Sequence, residues 1–272
     1  MKQPNDMKVR VAAVQMVSTP RVDENLDTAA RMIGEASARG AALVALPEYF
    51  PIMGLKESDK FDVREANGDG PLQRFLAGMA RQYGIWLVGG SIPLAADDPA
   101  KLLNTCLVFD AAGCCVARYD KIHLFGFRKG DEHYDEAATI EAGSDVIVVD
   151  TPAGRLGLAI CYDLRFPELF RAMGRVDLIV VPAAFTDTTG RAHWELLLRA
   201  RAVENQCYVL ASAQGGRHPT GRMTHGNSMI VDPWGEVVAR MDKGEGVVVA
   251  ELDPNRIAEV RCSLPALNHR RL

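Results

Sequence analysis

The chain reads as an α/β protein, a four-layer α-β-β-α sandwich built from two β-α-β-α-β-β halves. Three observations predict this. Short apolar runs alternate with amphipathic helical stretches, the pattern of strands covered by helices. A seven-residue signature is duplicated: Asp110, Gly113, Val116, Ala117, Arg118, Asp120 and Lys121 recur 122 positions later as Asp232, Gly235, Val238, Ala239, Arg240, Asp242 and Lys243. No Gly/Ser/Pro-rich linker separates the halves. Two β-hairpins can share turn chemistry by chance, but Val-Ala-Arg-x-Asp-Lys in duplicate is more than a turn requires. Two such halves give two sheets that bury a face against each other, with helices outside.

The elements follow in order. Val9 to Gln15 reads as a buried strand. A helix follows, with Asp23 as N-cap, an apolar stripe of Leu26, Ala29, Ala30, Ile33 and Ala36, and Gly40 as its stop. Ala42 to Leu46 is a second strand, closed by Pro47. Pro71 opens a helix with Leu72, Phe75, Leu76, Met79, Ala80 and Tyr83 on one face and Gly84 at its end. Ile85 to Ser91 is a strand, and Thr105 to Asp110 pairs with Cys114 to Tyr119 as a hairpin. The order then repeats. Arg155 to Ile160 is a strand, a short helix starts near Pro167, and Asp177 to Val181 is a strand closed by Pro182. Ala192 to Gln206 is a helix and Cys207 to Ala213 a strand. Met229 to Asp232 and Glu236 to Arg240 form the second hairpin, Val247 to Leu252 is a strand, and Asp253-Pro254 starts a last helix.

Composition narrows the function classes. At roughly 150 residues per domain, 272 residues allow one large domain or two small ones. A 48% hydrophobic and 24% charged composition is that of a soluble globular protein, which excludes disordered and collagen-like chains. The net charge of −4 gives no basic footprint for nucleic acid. No apolar run approaches the ~18 residues that span a bilayer. Met1 to Val11 lacks the apolar core of a signal peptide, so a cytoplasmic location is expected. The six cysteines (106, 114, 115, 161, 207 and 262) do not read as a disulfide framework in a chain of this size and compartment. No CxxC pair exists, so no zinc site is expected.

Ligands of open α/β sheets sit beyond the carboxyl ends of strands. Three reactive side chains stand there: Glu48, Lys121 and Cys161. Cys161 follows Gly157-Leu158-Ala159-Ile160, on a turn from buried strand into helix. A helix N-terminus and free backbone N–H groups would favour its thiolate. The alternative is a small buried hydrophobe, as most free cysteines are. Glu48 follows an apolar strand and a proline, a setting that suits general acid–base work, or it is a surface acid at a strand exit. The Lys121 ammonium suits an oxyanion, or it is a solvated lysine like its twin Lys243. A Cys–His pair is the rival constellation. His123, His193 and His225 are available, but no spacing sets any of them beside Cys161, and His218 and His269 lie in loop-like contexts.

Taken together, these residues resemble the nitrilase superfamily of carbon–nitrogen hydrolases. The resemblance is carried by Leu46-Pro47-Glu48, by Lys121-Ile122-His123-Leu124-Phe125, and by Cys161-Tyr162-Asp163-Leu164-Arg165-Phe166-Pro167-Glu168. His193-Trp194-Glu195 running to Glu204, and Ser228 to Gly235, agree in order, so the likeness covers about Val9 to Leu252. The ending Leu267 to Arg271 is similar to the Nit-type amidase branch, which contains deaminated-glutathione amidase and ω-amidase.

The resemblance implies the sandwich fold, with a hydrolase domain over 8–253 and a C-terminal helix and tail over 254–272. It implies a triad of Glu48 as general acid/base, Lys121 as oxyanion stabiliser and Cys161 as nucleophile. Glu136 would be a secondary, orienting glutamate, and the Tyr162 backbone N–H a second oxyanion donor. The reaction implied is hydrolysis of a small carboxylate-bearing amide through a cysteine thioester, with ammonia released and no metal or organic cofactor. Other substrates of the same chemistry are ω-amidase-type ketoglutaramates and N-carbamoyl compounds; a catalytically silent partner-binding protein is the reading from another class. Arg165 is the candidate for the substrate carboxylate, with Arg128 and Lys129 behind it. Tyr49, Phe185 and Thr186 are candidate pocket residues. The loop Gly126 to His133 departs from the branch's shorter one. A homo-oligomer, dimer or higher, is implied, with the segments after Cys161 and around Ala192 to Gln206 as interfaces, a small-molecule amide as the other partner, and no nucleic acid or membrane.

Overall fold

A computed structural model describes residues 7–130 and 132–271. The first six residues of the N-terminal stretch, Asp131 of the 126–135 loop, and Leu272 lie outside the described residues. The first half runs β1 (Val9–Gln15), α1 (Val22–Ala38), β2 (Leu43–Ala45), α2 (Pro71–Tyr83), β3 (Trp86–Val88), β4 (Ile92–Ala95), β5 (Leu102–Phe109) and β6 (Cys115–Asp120). A pair of strands, β7 (Gly126–Lys129) and β8 (Glu132–Asp135), follows, then β9 (Val148–Thr151). The second half runs β10 (Gly154–Leu158), α3 (Pro167–Ala172), β11 (Leu178–Ala183), α4 (Asp187–Asn205), β12 (Tyr208–Ala213), β13 (Met229–Val231), β14 (Val237–Arg240), β15 (Gly246–Leu252) and α5 (Pro254–Ser263).

The two large sheets are laid out alike. In one, β15, β1, β2, β3 and β5 lie in that order, with β4 and β6 also paired to β5. In the other the order is β14-β13-β12-β11-β10-β9. Each has a parallel centre, β1-β2-β3 or β10-β11-β12. The outer strand of each sheet comes from the other half. β9 follows the first hairpin yet pairs with β10, and β15 follows the second hairpin yet pairs with β1 from Val9↔Leu252 to Gln15↔Gly246. Neither half can complete its own sheet, so the doubled chain folds around one core.

Alternation along the strands builds the layers. Val11, Ala13, Leu43 and Ala45 join second-sheet residues such as Leu156, Ile179 and Leu210 in one buried cluster. Ala12, Val14, Val44 and Leu87 face the opposite way, against Met32 and Ile33 of α1 and Leu72 and Leu76 of α2. Strands buried on both faces read as continuous apolar runs, as this sequence does. The duplicated signature corresponds to a duplicated turn. The Asp110 carboxylate accepts the N–H groups of Ala112 and Cys114 at 2.9 Å each, and the Asp232 carboxylate accepts those of Trp234 and Glu236 at 2.9 and 2.8 Å.

Several sequence expectations need correction. α1 is capped at Arg21, with no side-chain cap, and Asp23 lies inside the first turn, where its charge still meets the helix dipole. Pro182 lies within β11 rather than ending it. The strand at Ile85 to Ser91 is only Trp86–Val88, and β4 and β9 were not anticipated. α4 begins five residues early, at Asp187, because the Thr186 side chain caps it by accepting the Thr189 N–H. Residues 126–129 and 132–135 pair as antiparallel strands rather than lying in an open loop. α5 packs on the core through Ile257 and Val260. Among the described residues no helix is long and apolar enough to cross a membrane.

Polar bonds also lock the sheets together. The fully buried Gln15 donates to the Asp242 and Gly244 carbonyls at 2.6 and 2.8 Å and accepts the Ser228 N–H at 2.8 Å. Gln15→Leu keeps the volume and leaves these backbone groups unmet. It is expected to lower stability by about 1–3 kcal/mol, read as a lower denaturation midpoint in urea.

Candidate active site

β2 runs into Leu46-Pro47, and Glu48 emerges at its carboxyl end. Close packing there requires Gly90, whose φ is +59° and whose missing Cβ would lie 2.2 Å from the Pro47 carbonyl oxygen. The backbone around Glu48 is pinned from both sheets. The Tyr49 N–H donates to Ser91 Oγ at 3.0 Å, and Gln214 Nε2 donates to the Glu48 carbonyl at 3.1 Å. Tyr49 itself takes a left-handed φ of +50°, unfavourable for a bulky residue and characteristic of strained functional positions.

β6 delivers Lys121, only 1% exposed, into the same space. Its Nζ donates to Glu48 Oε1 at 2.8 Å and to Glu136 Oε2 at 2.7 Å. Asn104 Nδ2, from β5, bridges the two carboxylates at 3.0 and 3.2 Å. Glu136 sits just after β8, where the Phe125 N–H donates to its Oε2 at 2.8 Å. Burial opposes the charge on Lys121, but Glu136 and Glu48 outweigh it and hold the ammonium charged well above its ordinary pKa. Burial likewise opposes the charge on Glu136, and Lys121 with the Phe125 N–H keeps its carboxyl below its ordinary value.

β10 delivers Cys161, with φ +49°, as the first residue of a 3-10 turn spanning Cys161–Arg165. Asp163, fully buried, fixes that turn. It accepts the Ile160 N–H at 2.8 Å, the Tyr119 hydroxyl at 2.7 Å and the His123 N–H at 3.0 Å, and it lies 2.7 Å from His123 Nδ1. One carboxylate therefore ties the cysteine turn to the segment that follows Lys121. The Tyr162 N–H lies in the first turn, where backbone donors have no intrahelical partner.

The thiol corrects one expectation. Burial first, then the charge of Glu48, push the Cys161 pKa well above its ordinary value, and Lys121 and the Ala184 N–H only partly offset them. The resting group is a thiol rather than a thiolate, with a carboxylate beside it to take its proton. None of the histidines weighed as partners is bonded to Cys161 among the described residues, and His133, on the cavity wall, meets Arg128. His123 is engaged by Asp163 and stacks on Phe166 at 3.7 Å, His193 meets Arg165, His225 lies by Asp187, and His218 meets Ser18 and Thr224.

A cavity of about 340 Å³ opens over this group. Glu48, Lys121, Glu136 and Cys161 line it, as do Tyr49, Tyr162, Arg165, Phe185 and Thr186. Arg128 and Lys129 do not. They are exposed on β7, and it is His133 and Tyr134 of β8 that reach the cavity wall. Sequence reasoning also missed Asn104, Glu57, Lys60 and Arg222. None follows a strand end as the triad residues do, and only the hairpin alignment of β5 with β6 hints at Asn104.

Known proteins resemble this chain along nearly its whole length. Residues 10–262 match the family profile described as carbon–nitrogen hydrolase. The chain is 43% identical, over 95% of its length and 97% of the relative's, to the deaminated glutathione amidase of Synechocystis sp.. It is 40% identical, over 96% of its length and 82% of the relative's, to the Homo sapiens protein of that name. It superimposes on the crystal structure of Saccharomyces cerevisiae Nit3, a member of branch 10 of the nitrilase superfamily, with a TM-score of 0.88 at 33% identity, covering 100% of this chain and 99% of that one.

The thiol's environment makes a prediction with a definite sign. Ultraviolet thiolate absorbance, taken as the difference from Cys161→Ala, is expected to titrate above the free-cysteine range. Glu48→Gln removes a neighbouring negative charge and is expected to move that midpoint down. A midpoint that stays in place would remove Glu48 as the thiol's neighbour.

Proposed function

The chain belongs to the carbon–nitrogen hydrolase family, and from that premise we propose that it hydrolyses the amide of a small carboxylate-bearing substrate through a thioester on Cys161. The observation that carries the reading is the buried Lys121 ammonium, bonded to both Glu48 and Glu136, in one cavity with a buried thiol. As sulfur attacks the carbonyl carbon, Glu48 takes the thiol proton. Lys121 and the Tyr162 N–H hold the developing oxyanion. Glu48 passes the proton to the amide nitrogen, the amine leaves, and a thioester remains. Glu48 then draws a proton from water, which releases the acid and the thiol. Glu136 keeps Lys121 in position.

The relatives' name supports a deaminated glutathione as substrate. That compound is a keto acid linked by a secondary amide to cysteinylglycine. Its leaving group is therefore a peptide amine, which amends the expectation of ammonia; ammonia leaves only from primary amides such as ketoglutaramates. Arg165 is the seat of the acyl-side carboxylate. It lines the cavity, has only His193 and the rings of Tyr162 and Phe185 as neighbours, and makes no ion pair among the described residues. The same reading takes the protein as a cytoplasmic homo-oligomer using no metal or organic cofactor. Exposed Leu196 and Val203 on α4, and exposed Trp234, suit contact with a second copy.

Incubation with deaminated glutathione is expected to release cysteinylglycine and 2-oxoglutarate, and ammonia release from α-ketoglutaramate alone would favour ω-amidase instead. Cys161→Ala is expected to lower kcat by about 10⁴-fold or more, and retained turnover would sink the thioester. Arg165→Ala is expected to raise KM for carboxylate-bearing amides about tenfold. An unchanged substrate preference would remove it from the site.

A further inference from the structure

The Lys and Arg side chains of the cavity wall differ in what already satisfies them. Lys121 is held by two carboxylates. Lys60, also buried, is bonded to Glu57 and lies 4.0 Å over the Tyr49 ring. Arg165 makes no ion pair among the described residues, and Arg222 has only part of its guanidinium met. The Arg222 Nε is buried with no hydrogen-bond partner. Its Nη1 has Met53 Sδ at 3.7 Å and Glu57 Oε1 at 3.9 Å, and that carboxylate is already bonded to Lys60. Its guanidinium lies over the Tyr134 ring at 5.2 Å. Folded proteins leave few buried donors unmet, because each gives up its bond to water with no bond in return. A guanidinium kept in this state on a cavity wall matches a carboxylate that comes and goes, since its fork of donors fits two carboxylate oxygens.

The loop that carries Arg222 is preorganised. The His218 N–H donates to the Arg222 carbonyl at 2.9 Å. The His218 ring bridges the Ser18 carbonyl and Thr224 Oγ1 at 2.8 Å each, which fastens the loop to the end of the first sheet. Fixing the receptor in advance reduces the entropy lost on binding.

The position of Arg222 says which half of the substrate it meets. Glu48 hands its proton to the departing nitrogen, so the amine half extends along the wall that begins at Glu48. The next residue, Tyr49, lies under Lys60, and Lys60 shares Glu57 with Arg222. Arg165 belongs to the cysteine turn that retains the acyl group. We propose that Arg222 binds a carboxylate on the departing amine half, so that the cavity selects amides carrying an acid at each end. This deepens the amidase reading above and rests on it.

The test uses two substrates with one scissile bond: the α-keto-acid amide of a dipeptide with a free C-terminus, and the same compound with that C-terminus amidated. The wild-type protein is expected to prefer the free acid at least tenfold in kcat/KM, chiefly through KM. Arg222→Met is expected to erase most of that preference, and Arg222→Lys to restore part of it. A wild-type enzyme that cleaves both equally overturns the proposal, as does an Arg222→Met enzyme that keeps the preference. A wild-type protein that cleaves neither overturns the amidase reading and this inference with it. Should the variants not fold, inhibition of the wild-type enzyme decides. The free dipeptide is expected to inhibit at least tenfold more tightly than its amide, and equal inhibition overturns the proposal.

Discussion

Everything in the site depends on burying one ammonium between two carboxylates. An isolated lysine at 1% exposure would lose its proton to escape the desolvation penalty. Glu48 and Glu136 prevent that, and they do more than neutralise it. Two negative charges against one positive leave the group with a net negative charge. Burial first, and then the charge of Glu48, hold Cys161 as a thiol. In the proposed reaction the proton stays on sulfur until a substrate carbonyl arrives, and Glu48 then receives it. Glu136 is tied to Lys121, the Phe125 N–H and Asn104, which fits the holding role proposed for it.

Such a cluster demands a rigid frame, and the doubled sandwich supplies it. Glu48 and Lys121 come from the first half and Cys161 from the second. They meet because the exchanged strands β9 and β15 bind each sheet to the other half. The supports are divided in the same way. Ser91 and Gln214 pin the backbone near Glu48 from opposite sheets, and Asp163 of the second half grips Tyr119 and His123 of the first. Neither half holds a site of its own.

The duplication is not symmetric in chemistry. Lys121 and Lys243 follow matching hairpins with the same letters around them, and both turns form alike. Lys121 is driven into the cavity. Lys243 remains 38% exposed and pairs with Asp187 at the start of α4. The shared Val-Ala-Arg-x-Asp-Lys run therefore leads to a buried cation in one half and a surface ion pair in the other, because the residues after it and the carboxylates that confront it differ.

The sequence by itself determined the layers, the repeat and the three side chains that meet in one cavity. β1, α2, α5 and the two hairpins carry strong local signals: continuous apolar runs, Pro at a helix start, Gly at a helix end, Asp-x-x-Gly turns. Glu48, Lys121 and Cys161 stood out because each stands at a strand's carboxyl end, where α/β sheets collect ligands, and the family resemblance joined them into a triad. The tertiary structure alone decided the rest. It moved the α1 cap from Asp23 to Arg21, paired 126–129 with 132–135, and turned Arg128 and Lys129 out while bringing Tyr134 in. It also set the protonation of Cys161 and brought Asn104, Lys60 and Arg222 to the wall. The reason is physical: strand and helix formation depend on neighbours along the chain, whereas burial, charge state and an unmet donor depend on groups brought together across it.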